Sequence, residues 1–358
     1  MRVLIFNWKD IKHPGAGGAE VLTMENAKRF VERGWEVTWF SSAFEGCKKE
    51  EEIDGVSIVR AGNKYTVYSE ARKHYKKWFT GKFDIVIDET NTRPFFAKDF
   101  VKDAKVIFFI HQLAKEWWFY ETKFPMNFLG YLLEPFWLKS YSSYPTVTVS
   151  ESTKQDLERL GFRNVSIISE GISFKPFSKL PKKSSKPSIV YLGRLNKGKR
   201  VLLALEAFKQ INDGETEFWI VGDGYIRREI EKRKVEGVKL FGKVSEEKKI
   251  DILSKAWLHV NPSVREGWGI NVIEANACGT PTVAFDVPGL RDSVVDGYTG
   301  LLVKEQSKEA LAEAIIKVLK DERLRLKLSR NSLKWARRFS WDKSAREFMK
   351  VIEGVVNG

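Results

Sequence analysis

The densest chemistry in the chain lies between Asn261 and Pro281, where Glu266-Gly267-Trp268-Gly269-Ile270-Asn271 is followed by Glu274. A β-branched run ends at Asn261, a glycine-rich turn follows, and a helix is expected to begin near Ile270. The amides from Gly269 through Ile270 to Asn271 then form an anion nest at the helix N-terminus. Glu266 stands before that turn and Glu274 about one helical turn beyond its start. Two carboxylates so placed can accept hydrogen bonds from two hydroxyl-rich parts of one ligand. Carboxylates next to an anion nest require polar groups between them, which points to a ligand that carries both phosphate and hydroxyls.

Three other groups extend this pattern. Gly193-Arg194 ends an apolar run, and Lys199 follows five residues after Arg194 at the start of a helix. A planar guanidinium and a flexible ammonium at a strand's C-terminal end suit a diphosphate. Gly15-Ala16-Gly17-Gly18 follows the first strand and opens the first helix, where backbone N–H groups can approach a phosphate; a plain tight turn fits the same residues. It is not G-x-G-x-x-G, and no acidic ribose ligand closes the second strand, which disfavours nicotinamide binding. A Walker P-loop is absent. His111, one of four histidines, ends the strand Val106–Ile110, a position where a ligand histidine and a structural one are both reasonable.

These residues need elements to hold them, and the hydrophobic pattern supplies βα units almost throughout. Val3–Asn7, Val37–Phe40, Ser57–Arg60, Ile85–Asp88, Val106–Ile110, Thr146–Val149 and Ser166–Ile168 read as strands of a first sheet. Ala19–Val31 reads as a helix that Gly34 stops. The proline- and serine-rich stretch Lys175–Lys186 reads as a linker. A second set follows: Ile189–Tyr191, Phe218–Val221, Val238–Phe241, Leu258–Asn261, Thr282–Phe285 and Leu301–Val303. The expected architecture is two doubly wound domains in tandem, with ligand in the cleft between them.

At 358 residues, 43% hydrophobic and 13% aromatic, the chain is long enough for two packed domains and is not disordered in composition. Cys47 and Cys278 are too far apart in sequence to build a disulfide framework or a zinc cluster, so a reducing cytoplasm is the simplest setting. The N-terminus reads as a strand and not as a signal peptide, and the apolar stretch Met126–Leu138 is too short to span a bilayer. The net charge of +14 favours an anionic partner. Nearly all of it lies in residues 171–358, with 36 Lys+Arg against 24 Asp+Glu, while residues 1–170 carry 25 against 23. A chain that is 30% charged, with few Met, Gln and Cys, has the bias associated with hyperthermophile proteins.

Taken together, Glu266 and Glu274 separated by seven residues, Gly193-Arg194 with Lys199, Gly17-Gly18, Val221-Gly222-Asp223-Gly224 and Asp296-Gly297-Tyr298-Thr299-Gly300 resemble the retaining glycosyltransferases of family 4. The matches run from residue 3 to about residue 348. The resemblance implies an α/β GT-B fold: two Rossmann-like doubly wound parallel-sheet domains facing an interdomain cleft. Residues 1–172 would form the acceptor domain and 187–338 the donor domain. Residues 339–358, introduced by Phe339-Ser340-Trp341, would form a helix crossing back to the first. It further implies transfer of a hexosyl group from a UDP- or GDP-sugar to a hydroxyl acceptor, with no cofactor and no metal. Arg194, Lys199 and the amides near Ile270 and Asn271 would replace a divalent ion at the diphosphate. Gly193, Gly267 and Gly269 would shape that donor site. Glu266 would hold donor-sugar hydroxyls, Glu274 the ribose, Gly17 and Gly18 the phosphates from the other domain, and His111 the reacting sugar. Two departures stand out: Glu170-Gly171-Ile172-Ser173 replaces the family's usual Asn-Gly-Val-Asp, and Arg200 replaces a usual glycine, either to reach a phosphate or to point outward.

From Trp117 to Tyr141, ten of twenty-five residues are aromatic, with Lys115, Lys123 and Lys139 interleaved. Such a segment suits a lipid-linked acceptor or peripheral contact with a membrane's cytoplasmic face, and equally a buried core. Four other functions could use such residues. A nucleotide-sugar epimerase would release altered donor without an acceptor. A phosphorylase would need a lysine for pyridoxal phosphate, and none stands out. A glycosidase would need both glutamates flanking one bond. A nucleic-acid binder would explain the basic second half, but no such motif occurs and no nucleic-acid partner is expected.

Overall fold

The first sheet is laid down by β1 (Arg2–Phe6), β2 (Glu36–Ser41), β3 (Glu50–Ile53), β4 (Val56–Arg60), β5 (Ile85–Thr90), β6 (Lys105–Ile110), β7 (Thr146–Thr148) and β8 (Val165–Ile167). Their spatial order is β3-β4-β2-β1-β5-β6-β7-β8, and every pair except β3 with β4 is parallel. The computed structural model describes residues 1–211 and 214–358. It divides into two units, the first made of Met1–Lys115, Leu129–Gly171 and Ser340–Gly358, the second of Glu116–Phe128 and Ile172–Phe339.

In the first unit, β1, β5 and β6 are nearly wholly buried, as their continuous apolar runs require of central parallel strands. The strand order reverses beside β1, so the C-terminal ends of β1, β5 and β6 border a topological switch point. β3 was not expected from sequence. Its residues Glu50-Glu51-Glu52-Ile53 lack an apolar run, yet they pair antiparallel with β4 as a charged edge strand, which guards the sheet edge against further pairing. The helix Trp341–Asn357 packs in this unit: Phe348 meets Phe30 and Phe109 at ring-centroid distances of 5.6 and 5.4 Å. Its Glu347 carboxylate accepts from the Ser169 amide and hydroxyl at 2.7 and 2.6 Å.

The second unit holds β9 (Ser188–Leu192), β10 (Glu217–Val221), β11 (Val238–Gly242), β12 (Leu258–Asn261), β13 (Thr282–Phe285) and β14 (Gly300–Val303), all parallel, in the order β11-β10-β9-β12-β13-β14. Tyr191, Leu205, Phe208, Phe218, Ile220 and Phe285 lie in its core. Here too the order reverses, between β9 and β12, which carry Gly193-Arg194 and the Glu266 turn just beyond their ends.

Two segments differ from the sequence reading. Residues 116–128, placed there in the first domain, pack on the second unit. The Trp117 indole donates to the Arg265 carbonyl at 3.2 Å, and the Glu121 carboxylate accepts from the Gly198 amide at 2.9 Å. The stretch read as a linker is also bound to the second unit. The Phe177 amide donates to the Ala277 carbonyl and the Ser184 amide to the Lys255 carbonyl, both at 2.9 Å. Proline and serine marked a break in regular structure there, not a free tether.

Candidate active site

In the second unit the helix Ile270–Ala277 starts at Gly269, whose φ of +104° is the left-handed conformation that favours glycine. No described side chain caps this end, so its first amides are available to an anion. The Asn271 side chain anchors the turn: its amide donates to the Leu192 carbonyl at 2.6 Å, and its oxygen accepts from Asn261 at 3.3 Å. This ties the helix start to the ends of both β9 and β12. Gly289 lets the next loop close over it, because a Cβ there would lie 2.1 Å from the Glu266 carbonyl.

Glu266 is buried and its carboxylate is doubly held, by the Ser263 hydroxyl at 2.8 Å and by an ion pair with Lys199. Lys199, expected on a diphosphate, thus sits in this structure on the neighbouring carboxylate, and its ammonium lies 5.9 Å from the centre of the Trp117 ring. Glu274 has a separate cation, Lys249 at 2.5 Å, which also meets Glu246 at 2.8 Å. Burial disfavours the Lys249 charge, but the two glutamates outweigh it and hold the ammonium above its ordinary range. Burial pushes the Glu274 carboxyl upward, with Lys249 opposing. Gly193-Arg194 ends in an exposed arginine, its backbone fixed by the Tyr191 hydroxyl donating to the Arg194 carbonyl at 2.9 Å. Arg200 is tied elsewhere: its guanidinium donates to Tyr120 at 2.5 Å and Gln306 at 2.6 Å.

In the first unit the helix Gly18–Glu32 begins at Gly17, whose amide donates to the Glu20 carboxylate at 2.7 Å. Glu20 is paired with Lys9 at 2.9 Å, and Lys9 also donates to the Gly15 carbonyl at 2.9 Å, so the glycine turn is braced from below. A Cβ at Gly18 would meet nothing within 4 Å. His111 is buried just beyond β6, with Nε2 2.8 Å from the Glu89 carboxylate. The Thr23 hydroxyl donates to the same Glu89 oxygen at 2.6 Å.

The structure therefore gathers Glu266, Gly267, Gly269, Ile270, Asn271 and Lys199 around one helix start, with Gly193 and Arg194 at the end of the adjoining strand. Sequence reasoning missed Lys249, Ser263, Trp117 and Glu89. The signal for Glu89 was present: Asp88-Glu89-Thr90 is a polar ending to a buried parallel strand, and the register sets Glu89 beside Phe109, two residues before His111 and on the same face.

Comparison with known proteins identifies the family and the fold. A sequence model described as glycosyl transferases group 1 matches residues 174–335, and one described as glycosyltransferase family 4 matches residues 16–175. The chain belongs to the group 1 glycosyltransferases of family 4. An uncharacterized glycosyltransferase of Methanocaldococcus jannaschii is 32% identical over 46% of this chain and 47% of its own length. A phosphatidyl-myo-inositol mannosyltransferase of Mycobacterium leprae is 30% identical over 58% of this chain and 59% of its own. The alignments thus span about half the length of these relatives. Over the whole chain the fold matches that of sucrose-phosphate synthase from Thermosynechococcus elongatus, with a TM-score of 0.83 at 19% identity, covering 99% of this chain and 98% of that one. The fold of this family 4 glycosyltransferase is GT-B.

Proposed function

We propose that the protein moves a hexosyl group from a UDP- or GDP-linked donor to a hydroxyl acceptor with retention of configuration and without a metal ion. The observation that carries this reading is the helix start at Gly269. Uncapped amides face outward there, Glu266 and Glu274 flank it, and each carboxylate is charge-compensated by a lysine. The diphosphate is assigned to the Ile270 and Asn271 amides with Arg194 and Lys199, whose positive charge stabilises the leaving phosphate. On donor binding Lys199 exchanges its contact with Glu266 for the phosphate, which frees that carboxylate for sugar hydroxyls. Glu274 takes the ribose hydroxyls. In the first unit, His111 is assigned to the reacting sugar and the Gly17-Gly18 turn to phosphate contacts, through Gly18 because the Gly17 amide is held by Glu20. In the transfer, the bond from the anomeric carbon to the leaving phosphate oxygen breaks. The acceptor oxygen bonds to the same face of that carbon, and its proton passes to the departing phosphate.

The acceptor is proposed to be lipid-linked or presented at a membrane's cytoplasmic face. Among the described residues no helix is long and apolar enough to cross a membrane. The helix Met126–Lys139 nevertheless leaves Met126, Phe128, Leu132, Leu133 and Phe136 exposed, Phe136 by 72%, with Phe124 just before it at 82%. Lys123 and Lys139 are exposed beside them, the composition of an interfacial helix. The inositol-lipid mannosyltransferase named above supports the same class of acceptor.

A thermal-shift series in a chelator, with UDP, GDP, ADP and their common sugar conjugates, tests the reading. A selective rise in Tm with one base is expected. No rise at several millimolar of any nucleotide would overturn it.

A further inference from the structure

The residue beside His111 has no role in the reading above. Glu89 ends β5 and His111 follows β6. The β5–β6 register pairs Glu89 with Phe109, so the Glu89 and His111 side chains share one face of the sheet. Both are buried, with His111 Nε2 2.8 Å from Glu89 Oε1. That same oxygen accepts from Thr23, on the helix that opens at Gly18, while Glu89 Oε2 has no hydrogen-bond partner among the described residues. A buried carboxylate without a full set of donors is costly to keep. Here it lies against the one imidazole assigned to the reacting sugar.

We infer that Glu89 is a positioning residue for glycosyl transfer: it holds His111 as the Nε2–H tautomer and so presents Nδ1 to the substrate. The inference rests on the assignment of His111 to the sugar. A carboxylate can only accept, so the ring nitrogen facing it must carry the proton, and the lone pair of the neutral ring is then confined to Nδ1. Nδ1 is thereby set to accept from a sugar or acceptor hydroxyl, in an orientation the pleated sheet fixes. The Thr153 hydroxyl restrains the same residue from its other end by donating to the His111 carbonyl at 3.2 Å. Glu89→Gln keeps the shape but removes the charge and can donate as well as accept, so it no longer enforces the Nε2–H tautomer.

The test reads the tautomer and the turnover separately. In protein labelled with 15N-histidine, His111→Asn identifies the His111 signals among the four histidines. The expected ring is Nε2–H in the native protein. With the sugar nucleotide that stabilises the protein most, release of nucleoside diphosphate should fall at least about tenfold in kcat in Glu89→Gln, with KM changed less than about threefold. Glu89→Asp should restore the native tautomer and part of kcat. A native ring protonated on Nδ1 overturns the inference. So does full kcat in Glu89→Gln when His111→Ala is impaired. Full kcat in His111→Ala with the native ring protonated on Nε2 would instead overturn the assignment of His111 to the sugar.

Discussion

The two glutamates of the second unit and the one beside His111 are all acids largely withdrawn from water, Glu266 and Glu89 buried and Glu274 partly so, but they are compensated in different ways. Glu266 and Glu274 each hold a flexible lysine, Lys199 and Lys249, brought in from other elements. Glu89 holds an imidazole fixed by sheet register. A lysine on a four-carbon stem can leave a carboxylate for a phosphate when ligand arrives, so charge in the second unit can be redistributed. A ring clamped between two adjacent strands can only be oriented. The donor side is thus built for exchange of charge, and the first-unit histidine for fixed direction.

The largest expected effect breaks the first half of that contrast. Lys199→Met removes both the proposed phosphate cation and the partner of Glu266, and kcat for release of nucleoside diphosphate from the best donor should fall about 10²- to 10³-fold. Glu266→Gln should lose turnover with little loss of nucleotide affinity, since it is assigned to the sugar; steady-state rates beside calorimetric binding of the nucleoside diphosphate check this. Native rates in both variants would show that the pair is only structural.

A smaller effect concerns the helix Met126–Lys139. Leu132→Asp with Phe136→Asp should reduce co-sedimentation with phosphatidylcholine–phosphatidylglycerol vesicles about tenfold or more and leave nucleotide binding unchanged, because both side chains are exposed. Equal sedimentation of the variant would remove the membrane from the proposal.

The smallest effect sharpens the contrast by adding a histidine that neither region uses. His259 in β12 is fully buried beside the Thr282 hydroxyl at 3.1 Å, and burial pushes its imidazole down to about 3. The folded state keeps it neutral while the unfolded chain binds a proton below pH 6.5. Its contribution is therefore complete above pH 6.5 and lost as pH falls toward 3, at about 1.4 kcal/mol per pH unit. Between pH 6.5 and 5, denaturant unfolding should show the native protein losing more stability than His259→Leu, with the difference approaching this slope.

Much of this was legible in the sequence because the donor-side residues are local. Glu266, Gly269 and Glu274 fall within nine positions, and the turn that separates them is written in glycines. The partners were harder to read. Lys249 reaches Glu274 from a neighbouring helix, and Glu89 reaches His111 only through strand pairing that sequence spacing does not encode. β3 was missed because its charged residues carry no burial pattern. Residues 116–128 were assigned by chain order, although Trp117 and Glu121 are held by the Arg265 carbonyl and the Gly198 amide of the second unit. The aromatic segment, open to two readings in sequence, is divided in the structure. Tyr141 is buried against Phe108, while Phe124, Phe128 and Phe136 face outward.

The central claim is that the second unit grips a nucleoside diphosphate through the turn between Glu266 and Glu274. Calorimetric titration of UDP and GDP into native protein and Glu274→Ala, in the presence of a chelator, tests it most directly. The account predicts saturable binding of one base and affinity at least about tenfold weaker in Glu274→Ala, the loss of charge-assisted hydrogen bonds to the ribose. Equal affinity in the two proteins would contradict it.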